Sequence, residues 1–89
     1  QAERALAPGL YRTLQGLARR LAQGERDLPG LERAGWETLG GAGFRPEYVA
    51  VRRAGDLEQP GPGDRDLVAL ASAWLGRARL IDNIRVSVG

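Results

Sequence analysis

The side chains in these 89 residues that could do acid–base or nucleophilic chemistry are carboxylates, two serines and little else. Histidine and cysteine are absent, which removes the commonest general base and the strongest nucleophile. All thirteen basic residues are arginine, so there is no amine for a Schiff base and no ammonium to clamp a phosphate. Ser72 sits inside an apolar run and Ser87 near the end of the chain, each with only carboxylates available as a base. Asp64 and Asp66 flank an arginine, and such a pair could serve acid–base work or part of a metal site. Their setting among glycines and prolines reads instead as a solvated turn. The cluster Gly40-Gly41-Ala42-Gly43 would suit a phosphate loop only between a strand and a helix start, with Lys-Ser/Thr following. It follows a helical pattern and reads as a stop. Tyr11, Trp36, Tyr48 and Trp74 could stack bases, but they fall on separate elements and read as core or interface residues. No catalytic, cofactor-binding or metal-ligating residue is assigned.

Length and composition restrict the rest. One domain spanning residues 1–89 is expected, and a chain this short buries only about 60–65 % of its unfolded surface. Eleven acidic residues are interleaved with the arginines, leaving a net charge of +2. Basic runs never exceed two residues (Arg19-Arg20, Arg52-Arg53), whereas nucleic-acid surfaces gather basic residues on one face. Neither nucleic acid nor membrane is expected as a partner, because no apolar stretch approaches the roughly 20 residues of a span. The first residues lack the layout of a signal peptide. A soluble, cytoplasmic protein is the default expectation, and the absent initiator methionine suggests a fragment or a processed chain.

The positioning elements follow from periodicity. Leu6, Leu10, Leu14, Leu17 and Leu21 form one stripe of a helix that either begins at Pro8 or is kinked there. Arg19 and Arg20 complement its C-terminal dipole, and Gly24 is a natural terminator. Gly16 weakens its middle, which suggests close packing against another element, with solvent exposure as the alternative. A second helix is expected from Asp27 or Leu28 to about Leu39, with Asp27 as cap and Pro29 in the first turn. Leu28, Leu31, Gly35 and Leu39 share one side, and Arg33 and Glu37 stand one turn apart.

The period then changes to two. From Phe44 to Arg53, Val49 and Val51 share one face while Tyr48, Ala50 and Arg52 share the other. Ala54 to Asp66 is a turn-rich loop, and Leu67 to Trp74 reads as a strand covered on both faces. Gly76-Arg77 turns the chain into a last strand, Arg79 to Val88. There Asp82 and Asn83 interrupt the alternation, suggesting a bulge or a local side-chain-to-backbone bond. The expected fold class is α+β: two N-terminal helices packed on a small three-stranded, mostly antiparallel sheet.

The string Arg79-Leu80-Ile81-Asp82-Asn83-Ile84 resembles the arginine–leucine–isoleucine–aspartate–asparagine signature near the C-terminus of pantothenate synthetases, the pantoate–β-alanine ligases. Leu67 to Ala73 with Gly76 resembles the small-residue strand and turn before that signature. Glu47-Tyr48-Val49-Ala50-Val51-Arg52, followed by Asp56-Leu57-Glu58, is similar to the family's preceding strand and its continuation. Ala2-Glu3-Arg4-Ala5 and Leu10 to Leu14 look like the first helix of the family's C-terminal domain. Trp74 departs from a usual arginine, Arg77 from a common second glycine, and Glu47 from a usual aspartate. The resemblance implies a C-terminal lid domain of a ligase that adenylates pantoate with Mg-ATP and then admits β-alanine. Its partner would be an N-terminal Rossmann-like domain carrying a HIGH-type motif and a catalytic lysine, with the family's serine–serine–arginine stretch expected just before residue 1. None of those motifs lies in these residues, so the fragment alone is expected to be inactive and to hold no cofactor. Loss of the partner domain would expose an apolar patch, with Trp36 and Trp74 as candidates for self-association. The alternatives are a free-standing interaction or dimerisation module and an arginine-based nucleic-acid binder.

Overall fold

A computed structural model describes residues 8–88. Leu6 and the Ala2–Ala5 string lie outside the described residues. The leucine stripe forms α1, Pro8–Ala22, which buries Leu10, Leu14, Leu17 and Leu21 together with Thr13. The Thr13 hydroxyl donates back to Gly9 O at 2.8 Å. Gly24 adopts φ +104°, and the amides of Gln23, Gly24 and Glu25 close on carbonyls of the last turn, as expected of a glycine terminator.

The second helix, α2, spans Leu28–Gly41 and ends two residues beyond the expected Leu39. The Asp27 side chain accepts from Gly30 N at 3.2 Å, which satisfies one of the free N-terminal amides. The expected Arg33–Glu37 pair is not formed. Glu32 reaches outward instead and accepts from Val51 N at 2.9 Å. α1 and α2 pack as a helical hairpin whose close point is Gly35. A Cβ there would lie 2.9 Å from a Val49 methyl and 3.2 Å from one of Leu17. The close approach expected at Gly16 is absent, since its Cβ position is open for 4 Å.

The strands are β1 (Arg45–Arg53), β2 (Asp66–Leu75) and β3 (Ala78–Ser87), in the spatial order β1-β2-β3 with both pairings antiparallel. Two residues, Gly76 and Arg77, join β2 to β3. Gly76 at φ +62° supplies the left-handed first position that a tight hairpin of this kind favours. Both helices lie on one face of the sheet, α1 over β2 and β3 and α2 over β1. Leu67, Ala69, Ala71, Ala73 and Leu75 of β2 meet the helix leucines there, with Val49, Val51 and Phe44 completing the core.

Two expectations for the sheet change as well. β2 is covered by helices on one face only; Val68 and Ser72 are buried on the other face by neighbouring sheet side chains. Asp82 and Asn83 do not form a bulge. β3 pairs residue by residue with β2 through Ala71–Asp82 and Leu70–Asn83. The irregularity lies in β1, between Pro46 and Tyr48. Asp82 does make the local bond, accepting from Asn83 N at 2.8 Å.

Candidate functional site

The face of the sheet without helices gathers most of the polar side chains singled out by sequence. Cross-strand neighbours share a face, so register places Arg45, Trp74 and Arg79 in one row and Tyr48, Ser72 and Ile81 in the next. Ala50, Leu70 and Asn83 form a third row, and Arg52, Val68 and Arg85 a fourth. A shallow depression on this face is lined by Tyr48, Leu57, Leu70, Ile81, Asn83 and Arg85. Leu57 and Ile81 are among the most exposed large apolar residues, at 55 % and 58 %. Leu57 also holds a left-handed φ of +61°, a conformation disfavoured for a residue with a branched side chain.

At the centre of the polar part stands Glu47. Its Oε1 accepts from the Ser72 hydroxyl at 2.6 Å and from Arg79 Nε at 2.6 Å. Ser72 is fully buried, and this bond satisfies its hydroxyl. The Ser72 hydroxyl, then the Arg79 guanidinium and the Trp74 indole, hold the Glu47 carboxyl down at about 2. Donors aimed at a carboxylate favour its charged form. Arg45 lies over the Trp74 ring, 5.9 Å from its centroid. The departures at positions 47 and 74 therefore belong to one cluster.

A carboxylate held this far into its ionised form is a poor general base near neutrality, and its partner serine is fully buried, out of reach of a substrate. The cluster can orient strands and present charge; it has no activated nucleophile. The other candidates are not brought together. Asp64 accepts from Gly61 N at 2.6 Å and faces Arg53, whereas Asp66 pairs with Arg85 at 2.6 Å. Among the described residues, no three His, Cys, Asp or Glu side chains cluster as metal ligands. Tyr11 and Trp36 are exposed on the helix layer, and Tyr48 and Trp74 lie on the opposite side of the sheet. The four aromatic residues share no common stacking platform. In the glycine cluster, the amides of Ala42, Gly43 and Phe44 all bond to α2 carbonyls, leaving none of the three free for a phosphate. Several arginines pair with acids, as in Arg20–Glu25, Arg52–Glu32 and Arg53–Asp56. Sequence reading missed Ser72 and Glu47 as a pair, because 25 residues separate them.

A family model described as pantoate-beta-alanine ligase matches residues 1–85. The chain belongs to this ligase family. It is 56 % identical over 86 residues to a pantothenate synthetase of Thioalkalivibrio sulfidiphilus, covering 97 % of this chain and 30 % of that protein. Against a pantothenate synthetase of Alkalilimnicola ehrlichii it is 54 % identical over 88 residues, 99 % of this chain and 31 % of the relative. A crystal structure of pantothenate synthetase from Thermus thermophilus superposes with a TM-score of 0.74 at 30 % identity, over 88 % of this chain and 28 % of that one. The chain thus spans under a third of the length of these relatives. Among the described residues no helix is long and apolar enough to cross a membrane.

Proposed function

We propose that this chain is the C-terminal lid domain of a pantoate–β-alanine ligase acting in the cytoplasm, on the pathway that supplies pantothenate for coenzyme A. The observation that carries the reading is the family match over residues 1–85 joined to a span of only about 30 % of each ligase. In this reading the parent enzyme forms a pantoyl-adenylate from pantoate and Mg-ATP, and β-alanine then displaces AMP. The N-terminal Rossmann-like domain of the same enzyme is the partner and holds the chemistry. Two observations support a nucleotide and metal site elsewhere in the enzyme: the amides of Ala42, Gly43 and Phe44 are bonded to α2, and no three His, Cys, Asp or Glu side chains cluster among the described residues. The lid's contribution is closure, which excludes water from a labile acyl-adenylate.

Two measurements test this. Calorimetric titration of the isolated chain with Mg-ATP is expected to show no binding, and a low-micromolar dissociation constant would contradict the division of labour. Replacing the matched region of the Thioalkalivibrio sulfidiphilus enzyme by this chain is expected to preserve pantothenate formation. A folded but inactive chimera would overturn the reading.

A further inference from the structure

Phe44 and Val49 are both buried in the core, yet they stand five positions apart. In an uninterrupted strand, residues an odd number apart face opposite sides. Phe44 directly precedes β1, and the strand register shows where the alternation between the two is broken. Pro46 pairs with Ala73 and Tyr48 with Ser72, so Glu47 has no partner of its own and re-phases the strand. Before the bulge, Arg45 turns to the uncovered face over Trp74, and Phe44 turns into the core. The Phe44 ring lies 3.3 Å from the position a Cβ would take at Gly9 of α1.

We propose that Glu47 is a register lock: its carboxylate, held by Ser72 of β2 and Arg79 of β3, selects the bulged pairing of β1 over a pairing slipped by one residue. In the slipped alternative, residues 44–47 would exchange faces. Phe44 would leave the core, Arg45 would enter it, and Glu47 would sit beneath the helices away from both donors. The fully buried Ser72 hydroxyl would then lose its acceptor. The arrangement thus joins all three strands through one carboxylate oxygen at the point where the register is ambiguous.

The test is local. In nuclear magnetic resonance of the 89-residue chain, Glu47→Ala is expected to abolish the Phe44–Gly9 contacts while keeping those between Val49 and Gly35. Amide exchange should accelerate at least about tenfold at residues 45–48 and less than about twofold in β2. Arg79→Ala should give the same pattern, and Glu47→Gln, which keeps an acceptor oxygen, should retain the Phe44–Gly9 contacts. If Glu47→Ala does not fold, Arg79→Ala decides. Alanine variants that keep Phe44 against Gly9 and merely melt earlier would overturn the proposal, as would exchange that accelerates evenly over the whole sheet.

Discussion

At the residue scale, the acid response of this domain has an identifiable contributor. The Glu47 carboxyl is held at about 2, against an ordinary value of 4.5, first by the Ser72 hydroxyl and then by Arg79 and Trp74. Its folded value lies below its unfolded one, so between these values the unfolded chain binds the additional proton. The stability it contributes is present above pH 4.5 and is lost as the pH falls from there toward 2. Urea unfolding of the parent across this window should therefore show an acid-side fall, and Glu47→Gln should make that fall shallower. An equally steep fall in the variant would assign the acid response elsewhere. Asp82 and Asn83 carry less than their place in the family-like string suggests. Among the described residues Asp82 bonds only its neighbour's amide, and Asn83 is exposed. Asp82→Ala should cost about 0.5–1.5 kcal/mol, the value of a typical hydrogen bond. Asn83→Ala should stay within about 0.5 kcal/mol of the parent, like other surface changes. Thermal melts decide this, and a loss at Asn83 equal to that at Asp82 would assign the two residues a shared anchoring role.

At the element scale, the two mid-helix glycines have opposite meanings. Gly35 is the place where α2 approaches both β1 and α1, and an added methyl would meet Val49 at 2.9 Å and Leu17 at 3.2 Å. Gly35→Ala should destabilise by about 1–3 kcal/mol, the range for overpacked cores. Gly16 has open space at its Cβ position, so Gly16→Ala should stabilise α1 by about 0.5–1 kcal/mol through helix propensity. Chemical denaturation of the two variants gives both signs, and a destabilising Gly16→Ala would refute the assignment. Both edge strands also carry side-chain bonds to their own amides. Glu32 takes the Val51 amide on β1, and Asp82 takes the Asn83 amide on β3. Such contacts blunt edges that would otherwise template pairing with another chain.

At the scale of the whole molecule, one sheet face is covered by helices and the other is not. Trp36 lies on the helix layer and Trp74 on the uncovered face, so the two candidates for self-association mark different surfaces. The exposed apolar pair Leu57 and Ile81 instead shares the uncovered face with Trp74. Exposed apolar surface of this kind favours association. Sedimentation of the isolated chain at rising concentration should show self-association that Ile81→Asp abolishes and Trp36→Ser leaves unchanged. Monomers at all concentrations, or dependence on Trp36 alone, would exclude the uncovered face as the associating surface.

What the sequence by itself determined was everything written in near neighbours. The leucine spacing placed α1, the aspartate cap placed the start of α2, and glycines at 24 and 76 placed a helix end and a hairpin. Period-two stretches placed β1 and β3, a continuous apolar run placed β2 between them, and the ordered strings carried the family resemblance. What only the tertiary structure decided was how distant segments meet. Ser72 and Arg79 stand 25 and 32 positions from Glu47. The spacing of Phe44 and Val49 was present in the sequence as a sign of a bulge, but its meaning depended on both residues being in the core. Periodicity within one segment reports which residues share a face. Whether that face meets a helix, a solvated surface or a carboxylate from another strand depends on strand register and helix placement, which no local pattern encodes.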